Sequence, residues 1–133
     1  MRDKITLTAL ERAMKCAALA LDKKALDVKV LEIGRLSSIA DYLVLASGRS
    51  DKQTQAIAES IRQGLKKFGK ALDIEGVKEG NWIVIDYGDI IVHIFQEEVR
   101  RYYNLDELWA AAPSLPIPEE YQWESNSKRT EMK

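Results

Sequence analysis

The chain reads as an α/β domain, a small mixed β-sheet of about five strands with helices packed on it. Three observations predict this class. Apolar residues recur at helical spacing in two stretches, 8–22 and 50–68. The run 41–47 is almost continuously apolar and is closed by a glycine. Residues 81–95 alternate about a two-residue loop.

In chain order, Thr8 and Glu11 have capping-box spacing, and Leu10, Ala13, Met14, Ala17, Ala18 and Leu21 form an apolar stripe, which predicts a helix from Thr8 to Asp22. Cys16 lies near the edge of that stripe and reads as a small packed residue. From Ala25 to Ile33, Leu26, Val28 and Val30 alternate with Asp27 and Lys29, the pattern of a half-buried strand. The apolar parity switches at Leu31 and Ile33, so a bulge or bend is expected after Val30. Residues 36–39 form a connector, and Asp41 to Ser47 has the character of a central strand covered on both faces. Ser50 and Gln53 open a second helix that carries Ala56 or Ile57, Ile61, Leu65 and Phe68 on one side and ends at Gly69. Lys66, Lys67 and Lys70 gather at its C-terminal end, where cations favour the helix dipole; a phosphate contact is the alternative reading. Ala71 to Ile74 is a short strand.

Two strands, Trp82–Tyr87 and Ile90–Phe95, then meet across the loop Gly88-Asp89. Glycine at the first loop position supplies the positive φ that two-residue hairpin turns require. This length sets the register: Tyr87 faces Ile90, Asp86 faces Ile91, Ile85 faces Val92, Val84 faces His93, Ile83 faces Ile94 and Trp82 faces Phe95. One face is then Ile83, Ile85, Tyr87, Ile90, Val92 and Ile94, which must be buried under helices. The other is Trp82, Val84, Asp86, Ile91, His93 and Phe95, where large aromatics stand beside an acid and the chain's single histidine. Such a face is either partly covered or a docking surface with aromatic anchors.

After Phe95, acids precede arginines in Gln-Glu-Glu-Val-Arg-Arg-Tyr-Tyr, as the dipole of a short helix prefers, and Asn104 can cap a further turn holding Leu105, Leu108 and Trp109. Trp109 reads as packed on the sheet, with an exposed anchor as the alternative. Pro113, Pro116 and Pro118 stop the pattern, and the polar stretch from Glu119 onward is expected to be mobile.

A length of 133 residues suits one domain, and net charge −1 argues against bulk electrostatic capture of nucleic acid. One cysteine and one histidine make no zinc set, and no apolar run is long enough to span a bilayer. The N-terminus lacks a signal-peptide stretch, so a cytoplasmic location is expected. Ser47-Gly48, ending a strand before a helix, has the look of a phosphate-binding turn. Asp86 and Asp89 flank the hairpin loop, where Mg²⁺ is conceivable but three-residue spacing across the tip sends their side chains apart; Asp89 is expected to bond locally within the loop. A His93–Asp86 hydrogen bond is feasible, but no Ser, Cys or Lys stands beside it as a nucleophile.

Three separated motifs, Ile39-Ala40-Asp41-Tyr42 with Ala46-Ser47-Gly48-Arg49-Ser50, then Trp82 to Asp89 with Val92-His93-Ile94-Phe95, then Glu98-x-Arg100-Arg101-x-Tyr103-x-Leu105-x-x-Leu108-Trp109, are similar to those of the Iojap family, the ribosomal silencing factors. The similarity spans roughly 8–112. Asn104 and Asp106 stand where the family often has Asp and Glu, and the tail is an extension. The resemblance divides the chain into a silencing-factor domain over 1–112 and a tail over 113–133. It implies a fold of nucleotidyltransferase-like topology without the catalytic acids, and indeed no Asp-x-Asp pair follows Ser47-Gly48.

The resemblance further implies binding to the large ribosomal subunit, chiefly through its ribosomal protein numbered fourteen, at the face where the small subunit joins. Joining would then be blocked sterically and translation repressed, with no catalysis and no cofactor. The docking residues it implies are Trp82, Asp86, Tyr87, Gly88, Asp89 and His93, with Tyr42, Arg101, Tyr103 and Trp109 as further candidates. A minor contact with ribosomal RNA and a homodimer of the free chain are compatible with it. Two other readings compete: a small metal-dependent nucleotidyltransferase using Ser47, Asp86 and Asp89, and an RNA-binding module using Lys66, Lys67 and Lys70.

Overall fold

A computed structural model describes residues 6–118. Helix α1 (Ala9–Asp22) leads into strands β1 (Leu26–Glu32) and β2 (Tyr42–Gly48), then helix α2 (Asp51–Leu65), which tightens into a 3-10 turn over Lys66–Phe68. Strands β3 (Asp73–Glu75), β4 (Trp82–Asp86) and β5 (Ile90–Gln96) follow, then short helices α3 (Glu97–Tyr103) and α4 (Leu105–Leu108) and strand β6 (Ser114–Leu115). The sheet has the order β3-β4-β5-β2-β1-β6. Only β2 and β5 are parallel among these neighbours, with α2, β3 and β4 between them in sequence. The expected mixed sheet is present, with a sixth strand beyond the five expected.

Both helices start where their caps dictate. The Thr8 hydroxyl accepts the Glu11 N–H at 3.0 Å and the Glu11 carboxylate accepts the Thr8 N–H at 2.9 Å. At α2 the Ser50 hydroxyl accepts the Gln53 N–H, but the Gln53 side chain turns elsewhere: it accepts from the Arg49 N–H and donates to the carbonyls of Lys23 and Lys24. That amide ties the start of α2 to the end of α1.

The two long helices cover one face of the sheet. Ala13, Cys16, Ala17 and Ala20 of α1 and Ile57, Ala58, Ile61 and Leu65 of α2 pack on Val44, Ala46, Ile83, Ile85, Val92 and Ile94. Cys16 lies inside this core and not at its edge, and burial pushes its thiol up to about 12, which leaves it unreactive. The opposite face has a smaller cluster of Leu31, Ile33, Leu43, Leu45, Phe95 and Ala112, with Leu105 and Trp109 packed against it. Strand β2 is therefore buried on both sides, as its sequence predicts.

Several boundaries differ from expectation. Val30 belongs to the helix-covered cluster and Leu31 to the other, so the parity switch reflects cover on both faces; the bulge lies earlier, between Leu26 and Lys29, where Asp27 takes φ 49°. The second helix gives way at Leu65 and only its 3-10 extension reaches Gly69. The short strand is Asp73–Glu75, starting two residues and ending one residue later than read. Asn104 takes a left-handed conformation that ends α3, and its side chain makes no cap bond to α4. Ser114 and Leu115 pair with Leu31 and Val30, so the sheet continues past residue 112. The expected mobile stretch from Glu119 onward lies outside the described residues.

Helix α3 is pinned by Arg100, which is 6% exposed. Its guanidinium grips Asp106 with two bonds of 3.0 and 2.9 Å and donates to the Asp27 carbonyl at 2.7 Å and the Ser47 hydroxyl at 2.9 Å. Lys29 adds a third contact to Asp106 at 3.0 Å. The bonds from Arg100 hold the Asp106 carboxyl down at about 2, against an ordinary value of 3.8.

Removing the guanidinium strands a buried hydroxyl, a carbonyl and a carboxylate, so Arg100→Ala is expected to cost on the order of 3 kcal/mol in urea unfolding. Because the Asp106 pKa is depressed in the folded state, its contribution is present above pH 4 and lost as pH falls towards 2. Asp106→Asn should therefore be less stable than the parent chain at pH 7 and approach it at pH 2–3, a convergence that urea midpoints across this range will measure.

Candidate functional site

The hairpin has the register its loop length demands: Trp82 pairs with Phe95, Ile83 with Ile94, Val84 with His93, Ile85 with Val92 and Asp86 with Ile91. Gly88 takes φ 91°, the Tyr87 N–H donates to the Ile90 carbonyl at 2.9 Å, and the Asp86 carboxylate accepts the Gly88 N–H at 2.8 Å. The inward face is closed, with Ile83, Ile85, Ile90, Val92 and Ile94 fully buried and Tyr87 9% exposed. On the outward face Trp82, Val84, Asp86, Ile91 and His93 are half-buried, while Phe95 is fully covered.

The outward aromatics form one assembly. The Trp82 ring lies 5.1 Å from Phe95, 5.8 Å from His93 and 4.8 Å from Tyr103, centroid to centroid, and His93 stacks on Phe95 at 5.7 Å. The Trp82 indole N–H donates to His93 Nδ1 at 2.9 Å, so the neutral imidazole carries its proton on Nε2. Burial pulls the His93 pKa down to about 4, which keeps that acceptor available at neutral pH. The His93–Asp86 bond that the register allows does not form; His93 has two diagonal neighbours on this face, and Asp86 is engaged by the turn. Tyr103, 54% exposed, and Tyr102, 81% exposed, meet edge-on at 5.0 Å and extend the aromatic surface along α3. Tyr102 escaped the sequence reading, although the Tyr-Tyr pair at the end of a short helix was the available signal.

The other candidate residues divide by location. Gly88 is exposed at the hairpin tip, and Tyr87 points to the helix-covered side. Asp89 does not bond locally: its carboxylate pairs with Arg12 of α1, and its carbonyl accepts from the N–H groups of Asp41 at 2.9 Å and Tyr42 at 3.1 Å. Tyr42 packs against the helix-covered cluster and Trp109 against the other. Arg101 is exposed and borders a polar cleft of about 300 Å³ with Arg100, Asn104 and Asp106.

The residues of the enzyme reading lie apart. In the parallel pair, Tyr42 aligns with Ile90 and Ser47 with Phe95, so Ser47 stands at the far end of the sheet from the Asp86–Asp89 turn. Its buried hydroxyl is bound by Arg100, and the Arg49 and Gln53 N–H groups at the start of α2 are already capped. Among the described residues no three His, Cys, Asp or Glu side chains gather as a metal set, and no helix is long and apolar enough to cross a membrane.

A family model described as ribosomal silencing factor during starvation matches residues 6–133, which includes the tail that the motifs left out. The ribosomal silencing factor of Bacillus subtilis is 42% identical over 102 residues, covering 75% of this chain and 86% of that one. A chloroplast Iojap protein of Arabidopsis thaliana is 33% identical over 115 residues, 86% of this chain and 48% of that one. A crystal structure of a Chromobacterium violaceum protein superposes with a TM-score of 0.76 at 30% identity, covering 78% of this chain and 88% of that one. A mixed sheet under two long helices, three matching motifs and a family match over nearly the whole length agree: this chain belongs to the ribosomal silencing factor family.

Proposed function

We propose that this silencing factor docks on the large ribosomal subunit through the outward face of the β4–β5 hairpin, against the ribosomal protein numbered fourteen, and that the bound chain stands where the small subunit must join. The observation that supports it is the half-open aromatic assembly of Trp82, His93 and Tyr103, anchored on the buried Phe95. Large aromatics held rigid before binding lose little conformational entropy on contact, and such groups dominate interface energetics. The indole–imidazole bond fixes Trp82, and the neutral His93 adds no charge to desolvate.

Asp86 and Gly88 border this face at the turn. Tyr87 and Asp89 act in it indirectly, Tyr87 by packing beneath the hairpin and Asp89 by clamping the turn to α1 and β2. Repression needs no chemistry. Two bodies that cannot share a surface compete for it, so joining falls as the chain's concentration rises above its dissociation constant. A footprint of about 800 Å² per partner suffices for a specific complex.

Co-sedimentation with purified large subunits tests this. Trp82→Ala is expected to weaken binding about 30-fold, the scale of a central aromatic anchor, and Tyr103→Ala by several-fold, with circular dichroism confirming that each variant is folded. Full co-sedimentation of a folded Trp82→Ala chain would contradict the docking face. For the free chain, the lowered His93 pKa means that the folded state resists protonation, so stability is complete above pH 6.5 and declines as pH falls towards 4. The His93 ring resonances should titrate near pH 4 and not near 6.5.

A further inference from the structure

At the turn end of the hairpin, on the side away from the aromatic assembly, Tyr87 forms part of the wall of a cleft of about 320 Å³ between β3 and the end of α2. Arg62, Lys66 and Lys70 border it, and Lys67 stands over a neighbouring cleft that shares Tyr87 and Gly69. The three lysines are exposed and form no ion pair among the described residues, whereas Arg62 is shared with Glu59 at 3.1 Å. Helix-dipole compensation alone accounts for cations here. It does not account for Tyr87, whose ring is buried in the core while its hydroxyl, reached by solvent at the wall of both clefts, makes no hydrogen bond with another described residue. A phenol in that position is an open donor beside exposed ammonium groups.

We infer that this cleft is a phosphate subsite that takes the backbone of ribosomal RNA, with the Tyr87 hydroxyl and the ammonium groups of Lys66 and Lys70 donating to phosphodiester oxygens. The Tyr87 ring is packed into the core and leaves no aromatic plane free for a base, so the contact reads no sequence. Lysines serve as point charges that tolerate the varied geometry of a backbone. The subsite rests on the docking reading only for the particle that supplies the RNA, and it lies on a different surface from Trp82.

The test measures binding to purified large subunits across a salt series for the parent chain, Lys66→Gln/Lys70→Gln and Trp82→Ala, together with binding of the free parent, double-lysine and Tyr87→Phe chains to a labelled twelve-nucleotide oligouridylate. All substituted lysines are exposed, so the fold is kept. The double variant is expected to lower the slope of log affinity against log salt by about 1–2, and both it and Tyr87→Phe should bind oligouridylate several-fold more weakly than the parent. An unchanged slope overturns the subsite, and it leaves the docking face standing if Trp82→Ala still weakens binding. A reduced slope with no effect of Trp82→Ala supports the subsite and removes the docking face. Absence of oligouridylate binding by the parent chain overturns the RNA contact.

Discussion

A two-residue loop that places Gly88 at positive φ commits the β4–β5 pair to one register, and that register decides which side chains meet helices and which meet solvent. A slip of one residue would carry Ile83, Ile85, Val92 and Ile94 out of the core and bring Trp82 and His93 into it. The aliphatic face, sealed under α1 and α2, makes such a slip costly, so the aromatic face is held in place by burial on the side opposite to it. The turn is secured further by Asp89, whose carbonyl receives two N–H groups at the start of β2 while its carboxylate reaches α1.

The second support comes from α3. Tyr102 and Tyr103 can extend the aromatic surface only because their helix is fixed, and Arg100, two residues before Tyr102, fixes it by joining Asp106, the Asp27 carbonyl and the Ser47 hydroxyl in one network. The residue that looked like part of a phosphate turn is thereby an acceptor inside the scaffold. The proposed docking face and the stabilising network are separated in space: the charged network lies under α3, and the half-open rings lie on the sheet beside it.

Much of this was legible because its causes are local. Loop length and alternation sufficed for every cross-strand pair of the hairpin, and capping residues sufficed for the start of both long helices. The three motifs carried the family. What was not legible depends on residues far apart in the chain. Arg12 and Asp89 are 77 residues apart, and Arg100 reaches partners 53 and 73 residues away. No periodicity encodes such pairs. The parity switch at Leu31 was visible but misassigned, since burial on a second face and a bulge leave the same mark on a sequence. His93 had two diagonal neighbours, and only the three-dimensional turn shows that Asp86 was already engaged.

The central claim is that a rigid aromatic face on one side of a β-ribbon occupies ground that the small subunit needs. The most direct measurement is a sucrose-gradient profile of purified large and small subunits mixed with increasing amounts of the chain. The account predicts that the chain migrates with free large subunits and that assembled ribosomes decline in proportion. Migration of the chain on assembled ribosomes, with no loss of that peak, would contradict it.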